Sequence, residues 1–376
     1  MDERVLAERL ITYDTSGPEG LRGAAGFIKG WLEARAIPVA AHELNERYAL
    51  TASVGPQRDD VPTLVFHGHY DVVPARAEQF EPRVQGDRLI GRGAYDMKGG
   101  LAAMMCALQD LSEQERVRVR FVCVPDEESE DIDARASDIL VRAGHVGDFA
   151  ITGEPTNLHV GIQAKGVLAL RVLVHGTSAH GSTPWLGDNA VLKAIDVFRR
   201  IESMPFTQES SELFDRPSVN LGRIVGGDAP NKVPELCAMD VDIRYLPEQD
   251  PNQLLAQIRA IPDVQVERSF IWPPARVERA NPYVVALSRA ASRLTDGESM
   301  SVGRDGASDA VAFLKAGVPA VEFGPAGSGH HGPDEWVSIA SLARYRRALV
   351  DFAQSVGEPF GVEGEPELRS ADGGLA

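Results

Sequence analysis

Apolar residues recur at helical spacing over residues 2–10 and 20–34, and two short β-rich apolar runs follow at 63–66 and 117–124. Between those runs, 99–111 carries Ala and Met on a helical repeat and predicts a buried helix. Residues 149–152 predict another buried strand, closed by a Gly-Glu-Pro turn. Strands separated by helices predict an α/β layer: a mainly parallel sheet with helices on both faces. The pattern changes near residue 160. Residues 166–175, 218–225 and 236–245 alternate as strands, while 189–201 and 251–260 have helical spacing. In chain order these read β-α-β-β-α, the first five elements of the β-α-β-β-α-β order of a small α+β, ferredoxin-like sandwich. After residue 281 the first style returns, with helices at 282–294 and 308–316, a strand at 320–323, and a helix from 338 to about 355. The chain is therefore expected to form a split domain, 1–163 and 279–357, with a second domain inserted at 164–278. Residues 358–376 are rich in Gly, Pro and Glu without periodicity, which predicts a disordered tail.

Length agrees with that division, since 376 residues exceed one ordinary domain. The formal charge of −17 argues against a nucleic-acid partner, which would need clustered Lys and Arg. It is compatible with cations, which need carboxylates. Cys106, Cys123 and Cys237 are widely spaced and form no CxxC pair, so neither a disulfide framework nor a thiolate zinc site is indicated. The opening MDERVLAERL has no apolar signal core, and no run of about 18 apolar residues occurs. A cytoplasmic protein with no membrane partner is expected.

Five short segments carry candidate chemistry. In Phe66-His67-Gly68-His69-Tyr70-Asp71, an extended chain would put His67, His69 and Asp71 on one side. A His with a carboxylate two residues on suits a metal ligand and its orienter, although a polar strand end has the same pattern. In Gly91-Arg92-Gly93-Ala94-Tyr95-Asp96, a carboxylate stands where a dinucleotide loop needs its third glycine. Asp96 would repel a pyrophosphate, but with two free oxygens it can bridge two cations. Pro125-Asp126-Glu127-Glu128-Ser129-Glu130-Asp131 follows an apolar strand. Its consecutive acids repel unless cations or protons sit among them, so one can bind metal while its neighbour serves as a general base, although taken alone the segment reads as a solvated acidic loop. Gly153-Glu154-Pro155 and His330-His331-Gly332-Pro333-Asp334-Glu335 complete the set, each weak alone. Together they offer a nitrogen and oxygen donor set suited to zinc, with cobalt or manganese as substitutes. No G-x-S-x-G elbow, P-loop or HExxH occurs.

In order and content these motifs resemble the M20 family of metallopeptidases and deacylases: HGHYDVVP, GRGAYDMKGG, DEE, GEPT and HHGPDEW. The resemblance runs from the first helix to about Ser355. It implies a zinc-binding catalytic domain with an inserted lid through which a homodimer forms. It also implies two zinc ions, one held by His69 and Glu154 and one by Glu128 and His331, with Asp96 bridging. Asp71 would then orient His69 and Glu127 would be the general base, while His67 and His330 drop out as ligands. In the insert, Gly176 to Pro184 resembles the lid motif whose histidine, here His180, reaches the active site of the partner subunit. Asn231 and Arg244 resemble residues holding a substrate carboxylate, and Arg304 to Asp309, with Ser308, resembles a loop supporting the substrate backbone. For Asp309, capping the following helix is an equal expectation.

The reaction implied is hydrolysis of the amide of an N-acyl amino acid, with a dipeptidase or carboxypeptidase as the alternative. A non-catalytic binding protein on this fold would lack a ligand or the base, and neither is missing. Tyr70 and Tyr95 depart from the desuccinylase pattern, and the lid stretch 181–190 is closer to the general deacylase form, so the acyl group stays open.

Overall fold

The computed structural model describes residues 2–44, 46–129, 135–294 and 299–356. The expected tail at 358–376 lies outside the described residues, as do Glu130 and Asp131 of the acidic segment.

Among the described residues, nine strands form the large sheet. Its four inner strands run parallel, in the order Arg118–Val124, Thr63–His69, Phe149–Thr152 and Ala320–Glu322. Period two assigns their side chains to two cores. Leu64, Phe66, Val119, Phe121, Phe149 and Ile151 join helices Glu3–Ile11, Pro18–Glu33, Gly99–Asp110, Pro282–Ser292 and Ile339–Val356 on one face. Val65, Val122, Val124 and Ala150 meet helices Ala136–Arg142 and Ala310–Lys315 on the other. Burial on both faces is why these strands read largely as apolar runs, interrupted in Arg118–Val124 by the half-buried Arg118 and Arg120 near its start. The edges are mixed. Arg47–Val54 and Val160–Ala164 pair antiparallel with the inner strands, and Val39–Leu44 extends the first edge.

The inserted unit leaves this sheet just after Ala164 and returns at Ala275, which pairs with Ala164 itself. Its four strands are antiparallel, in the order Ser218–Gly226, Leu236–Tyr245, Gly166–His175 and Val264–Trp272. Helices Ala190–Glu202 and Pro251–Arg259 pack on one face over a separate apolar cluster, leaving a charged face that carries Arg171, Asp240, Asp242 and Arg244. The architecture is thus an α/β layer with an inserted ferredoxin-like α+β unit.

A third, small sheet has the order Gly327–Ser328, Trp336–Ser338, Arg88–Ile90 and Arg83–Gln85. Its strands are two or three residues long, too short for a periodic signal in sequence. It pairs Trp336 with Ile90 and so brings the loop 329–335 against the turn that begins at Gly91. Among the described residues no helix is long and apolar enough to cross a membrane.

Candidate metal centre and active site

Three of the parallel strands deliver acidic or imidazole groups from their C-terminal ends, the edge where open α/β sheets place their sites. His69 is the last residue of Thr63–His69 and pairs with Val124, from which the acidic loop departs. Glu154 follows two residues after Phe149–Thr152, beside the same strand. Parallel pairing therefore lines up His69, the Asp126–Glu128 loop and Glu154 on one edge.

Asp96 arrives differently. The chain turns at Gly93, whose φ of 78° lies in the left-handed region, and Asp96 follows just before the helix Gly99–Asp110, joined to Met97 by a cis peptide. Buried Glu335 holds that turn. Its carboxylate accepts the main-chain N–H groups of Tyr95 at 2.9 Å and Asp96 at 3.1 Å, and it pairs with Arg92 at 2.6 Å. Arg92 in turn donates to the main-chain carbonyl of His331 at 2.9 Å. One buried ion pair thus ties the Asp96 turn to the histidine loop. Neither residue was singled out from sequence, and for Glu335 the reason is that a Glu beside an Asp after Gly-Pro has the composition of a solvated turn.

The groups converge on Asp96. His69 Nε2 lies 3.0 Å from Asp96 Oδ1 and 3.6 Å from Glu154 Oε1. On its other side His69 Nδ1 lies 3.1 Å from the main-chain carbonyl of Asp71 and 3.4 Å from Oδ1 of the same residue. That arrangement fixes the ring with Nε2 aimed at the carboxylates. Asp71 also accepts the main-chain N–H groups of Glu127 at 3.2 Å and Glu128 at 2.9 Å, so it orients the acidic loop as well as the histidine. His331 Nε2 stands 2.8 Å from Glu128 Oε1 and 3.3 Å from Asp96 Oδ2. His330 also contacts Asp96 Oδ2, nearer than its setting aside in favour of His331 would suggest. His67 faces away, buried against Ser137 at 2.9 Å and Phe313.

Electrostatics describe a site short of positive charge. Burial, reinforced by Asp96, pushes the Glu154 carboxyl well above the usual range. Burial would raise Asp96 too, but hydrogen bonds from His330, His331 and His69 hold it well below. Hydrogen bonds to Asp96 and Glu128 push His331 up to about 10. Burial also pushes Glu127 up to about 8, opposed by His69 and Arg135. Ligand-type atoms of His69, Asp96 and Glu154 lie within 4.8 Å of one another, as do those of Asp96, His330 and His331. Buried carboxylates with convergent imidazole nitrogens fit divalent cations of the zinc type, which would supply the missing charge. Asp96 is common to both groups.

The insert's candidates stand apart. His180 is exposed with Nδ1 2.7 Å from Ser182 Oγ, Asn231 is exposed, and Arg244 is half-buried with Nε 3.0 Å from Asp242. Among the described residues no hydrogen bond or ion pair joins these three to the Asp96 cluster. Ser308 is buried and its hydroxyl accepts the N–H of Ala310 at 3.1 Å, capping its own helix. Asp309, the alternative cap, instead binds Ser137 at 2.6 Å and Arg135 at 3.1 Å.

Proteins named succinyl-diaminopimelate desuccinylase are similar over most of the chain. The one from Leptothrix cholodnii is 29% identical over 374 residues, covering 92% of this chain and 96% of its own. The one from Gluconobacter oxydans is 30% identical over 315 residues, covering 79% and 82%. Aminopeptidase PepT from Bacillus cereus shares the fold at a TM-score of 0.78 and 19% identity, over 94% of this chain and 97% of its own. So does the M20 family metallo-carboxypeptidase Sso-CP2 from Sulfolobus solfataricus, at a TM-score of 0.78 and 19% identity, over 95% and 100%. The family model of peptidase family M20/M25/M40 matches residues 65–355, which span all five motifs of the site. The chain belongs to that family and is a metal-dependent amidohydrolase.

Proposed function

We propose that the protein hydrolyses the amide bond of an N-acyl amino acid at a two-zinc centre, with cobalt or manganese as possible substitutes. The observation that carries this reading is Asp96, whose oxygens face His69 on one side and the His330–His331 pair on the other. His69 and Glu154 would hold one cation, Glu128 and His331 the second, and Asp96 both. Bound there, the cations would polarise the amide carbonyl and lower the pKa of a water. Glu127, partly buried on the same loop as Glu128, takes the proton from that water and hands it to the leaving nitrogen. Asp71 keeps His69 and the acidic loop in register. Arg244 and Asn231 receive the substrate carboxylate, Arg being suited to it by its fork of donors, with Ser308 supporting the substrate loop. His180 completes the site at the developing oxyanion.

The separation of His180 from the cluster within one chain supports its delivery by a partner subunit. So does the apolar surface of the insert, taken here as 164–278, where Trp185, Leu186 and Leu192 are exposed. A cytoplasmic location is supported by three buried cysteines, all free. A second reading, cleavage of dipeptides or of a peptide C-terminus, is favoured by the fold shared with an aminopeptidase and a metallo-carboxypeptidase. A panel of acetyl-, succinyl- and formyl-amino acids beside dipeptides, run with added zinc or cobalt, separates the two. Glu127→Gln should then keep its metal content while kcat on the best substrate falls by at least ~10²-fold. Near-normal turnover in that variant removes Glu127 from the reaction.

A further inference from the structure

Beside Glu127 stands a charged residue to which the reaction outlined above assigns no task. Arg135 Nη1 lies 3.5 Å from Glu127 Oε1 and 3.1 Å from Asp309 Oδ1. Its surroundings fix it from several directions. Asp309 is 2% exposed, and its second oxygen accepts the hydroxyl of Ser137 at 2.6 Å and faces His67 Nε2 at 3.5 Å. The guanidinium packs over the ring of Trp272, the last residue of the insert's final strand, at 5.7 Å. Backbone is held too, because Asp126, next to Glu127, accepts the N–H of Ala136, next to Arg135, at 2.9 Å. The acidic loop and the start of the helix Ala136–Arg142 are therefore tied together on either side of the Glu127–Arg135 contact.

We propose that Arg135, anchored by Asp309, is a positioning residue for Glu127. A glutamate on a loop has three side-chain torsions, and a group that must both take and give a proton needs a narrow range of placements. Arg135 engages Oε1 and so leaves Oε2 to face the water. The 3.5 Å separation is that of an ion pair rather than a close hydrogen bond. It restrains the carboxylate while letting it swing from the water to the leaving nitrogen. Arg135 acts through Glu127 and does not touch the substrate. Asp309 stops the guanidinium from moving into the cleft to pair with a substrate carboxylate, because it already takes the same Nη1.

The inference rests on Glu127 being the general base, and its test separates the two claims. The variants are Arg135→Met, Arg135→Lys, Asp309→Asn, Glu127→Gln and the double Glu127→Gln/Arg135→Met, each assayed for metal content, kcat and KM on the best substrate of the panel. Arg135→Met should lower kcat by about 10- to 100-fold with KM changed less than about threefold and metal content unchanged. Arg135→Lys should recover part of that loss, and Asp309→Asn should lower kcat in the same sense. Decisively, the double variant should be no slower than Glu127→Gln alone. A raised KM with intact kcat would make Arg135 a substrate ligand, and a further loss in the double variant would give it a role independent of Glu127. Either overturns the inference, as does wild-type kcat in Arg135→Met. Should Arg135→Met not fold, Arg135→Lys and Asp309→Asn carry the same comparison in the Glu127→Gln background. Near-normal Glu127→Gln would instead overturn the base assignment itself.

Discussion

At the scale of single residues, the site is organised by groups that would not themselves touch a metal. Asp71 holds both His69 and the backbone of the acidic loop, and Glu335 holds the backbone of Asp96. Such outer partners typically carry 10- to 100-fold of metal affinity. Glu335→Gln should therefore weaken metal binding by about that factor, measured by competition with a chromophoric chelator, while a neutral amide still fills the space. Unchanged affinity would mean that the Asp96 turn holds its shape without the Arg92–Glu335 pair. Of the expected ligands, His69, Glu128 and Glu154 stood out because they end or follow an apolar run, and Asp96 because it precedes a helix, whereas His331 lies in a loop and was told from His330 only through the resemblance. Glu335 did not stand out, since its importance comes from main-chain donors delivered by a turn more than 200 residues away. Ser308 and Asp309 show the same blindness. Adjacent polar residues before a helix look equivalent in sequence, yet Ser308 caps it and Asp309 turns into the core toward Arg135.

At the scale of elements, periodicity carried as far as burial was one-sided or complete. Gly166–His175 and Leu236–Tyr245 begin and end where the alternation predicts, because one face of that sheet is apolar and the other charged. The helix expected at 308–316 begins later, at Ala310, because the Ser308 cap lies outside it. The hairpin of Val39–Leu44 with Arg47–Val54 was not foreseen, its first strand being mostly open to solvent and mixed in composition. Close packing of the inner strands has its own consequence. A Cβ on Gly324 would meet the carbonyl oxygens of Glu154 at 2.3 Å and Gly153 at 2.6 Å, main-chain atoms that cannot step aside alone. Gly324→Ala should cost ~1–3 kcal/mol of stability, read as a lower denaturant midpoint, and should shift the segment carrying Glu154. A variant as stable as the parent, with unchanged metal affinity, would show that this approach is looser than the geometry indicates.

At the scale of the whole molecule, the α/β layer builds a metal centre and the insert presents the substrate-binding and oxyanion candidates at a distance from it. The division was legible as a change from buried parallel-type runs to alternating strands. How the two parts meet was not, since it depends on Ala164 and Ala275 pairing across more than 100 residues. Trp185 and Leu186, 75% and 70% exposed, and exposed Leu192 are apolar side chains on the insert that the proposed partner subunit would cover. If the proposed dimer forms through this surface, Leu192→Asp should halve the solution mass by sedimentation and lower kcat by removing the partner's His180, without loss of metal. A wild-type protein that sediments as a monomer yet turns over fully would exclude that arrangement. The proposed pair of cations held in common by Asp96 stands or falls by reconstitution. Protein stripped by a chelator is titrated with zinc while bound metal and hydrolysis of the best N-acyl amino acid are followed together. No turnover should occur without metal, two equivalents should bind at saturation, and Asp96→Asn should lose both as a functional pair. Full turnover in the metal-free protein, or saturation at one equivalent that Asp96→Asn leaves intact, would contradict it.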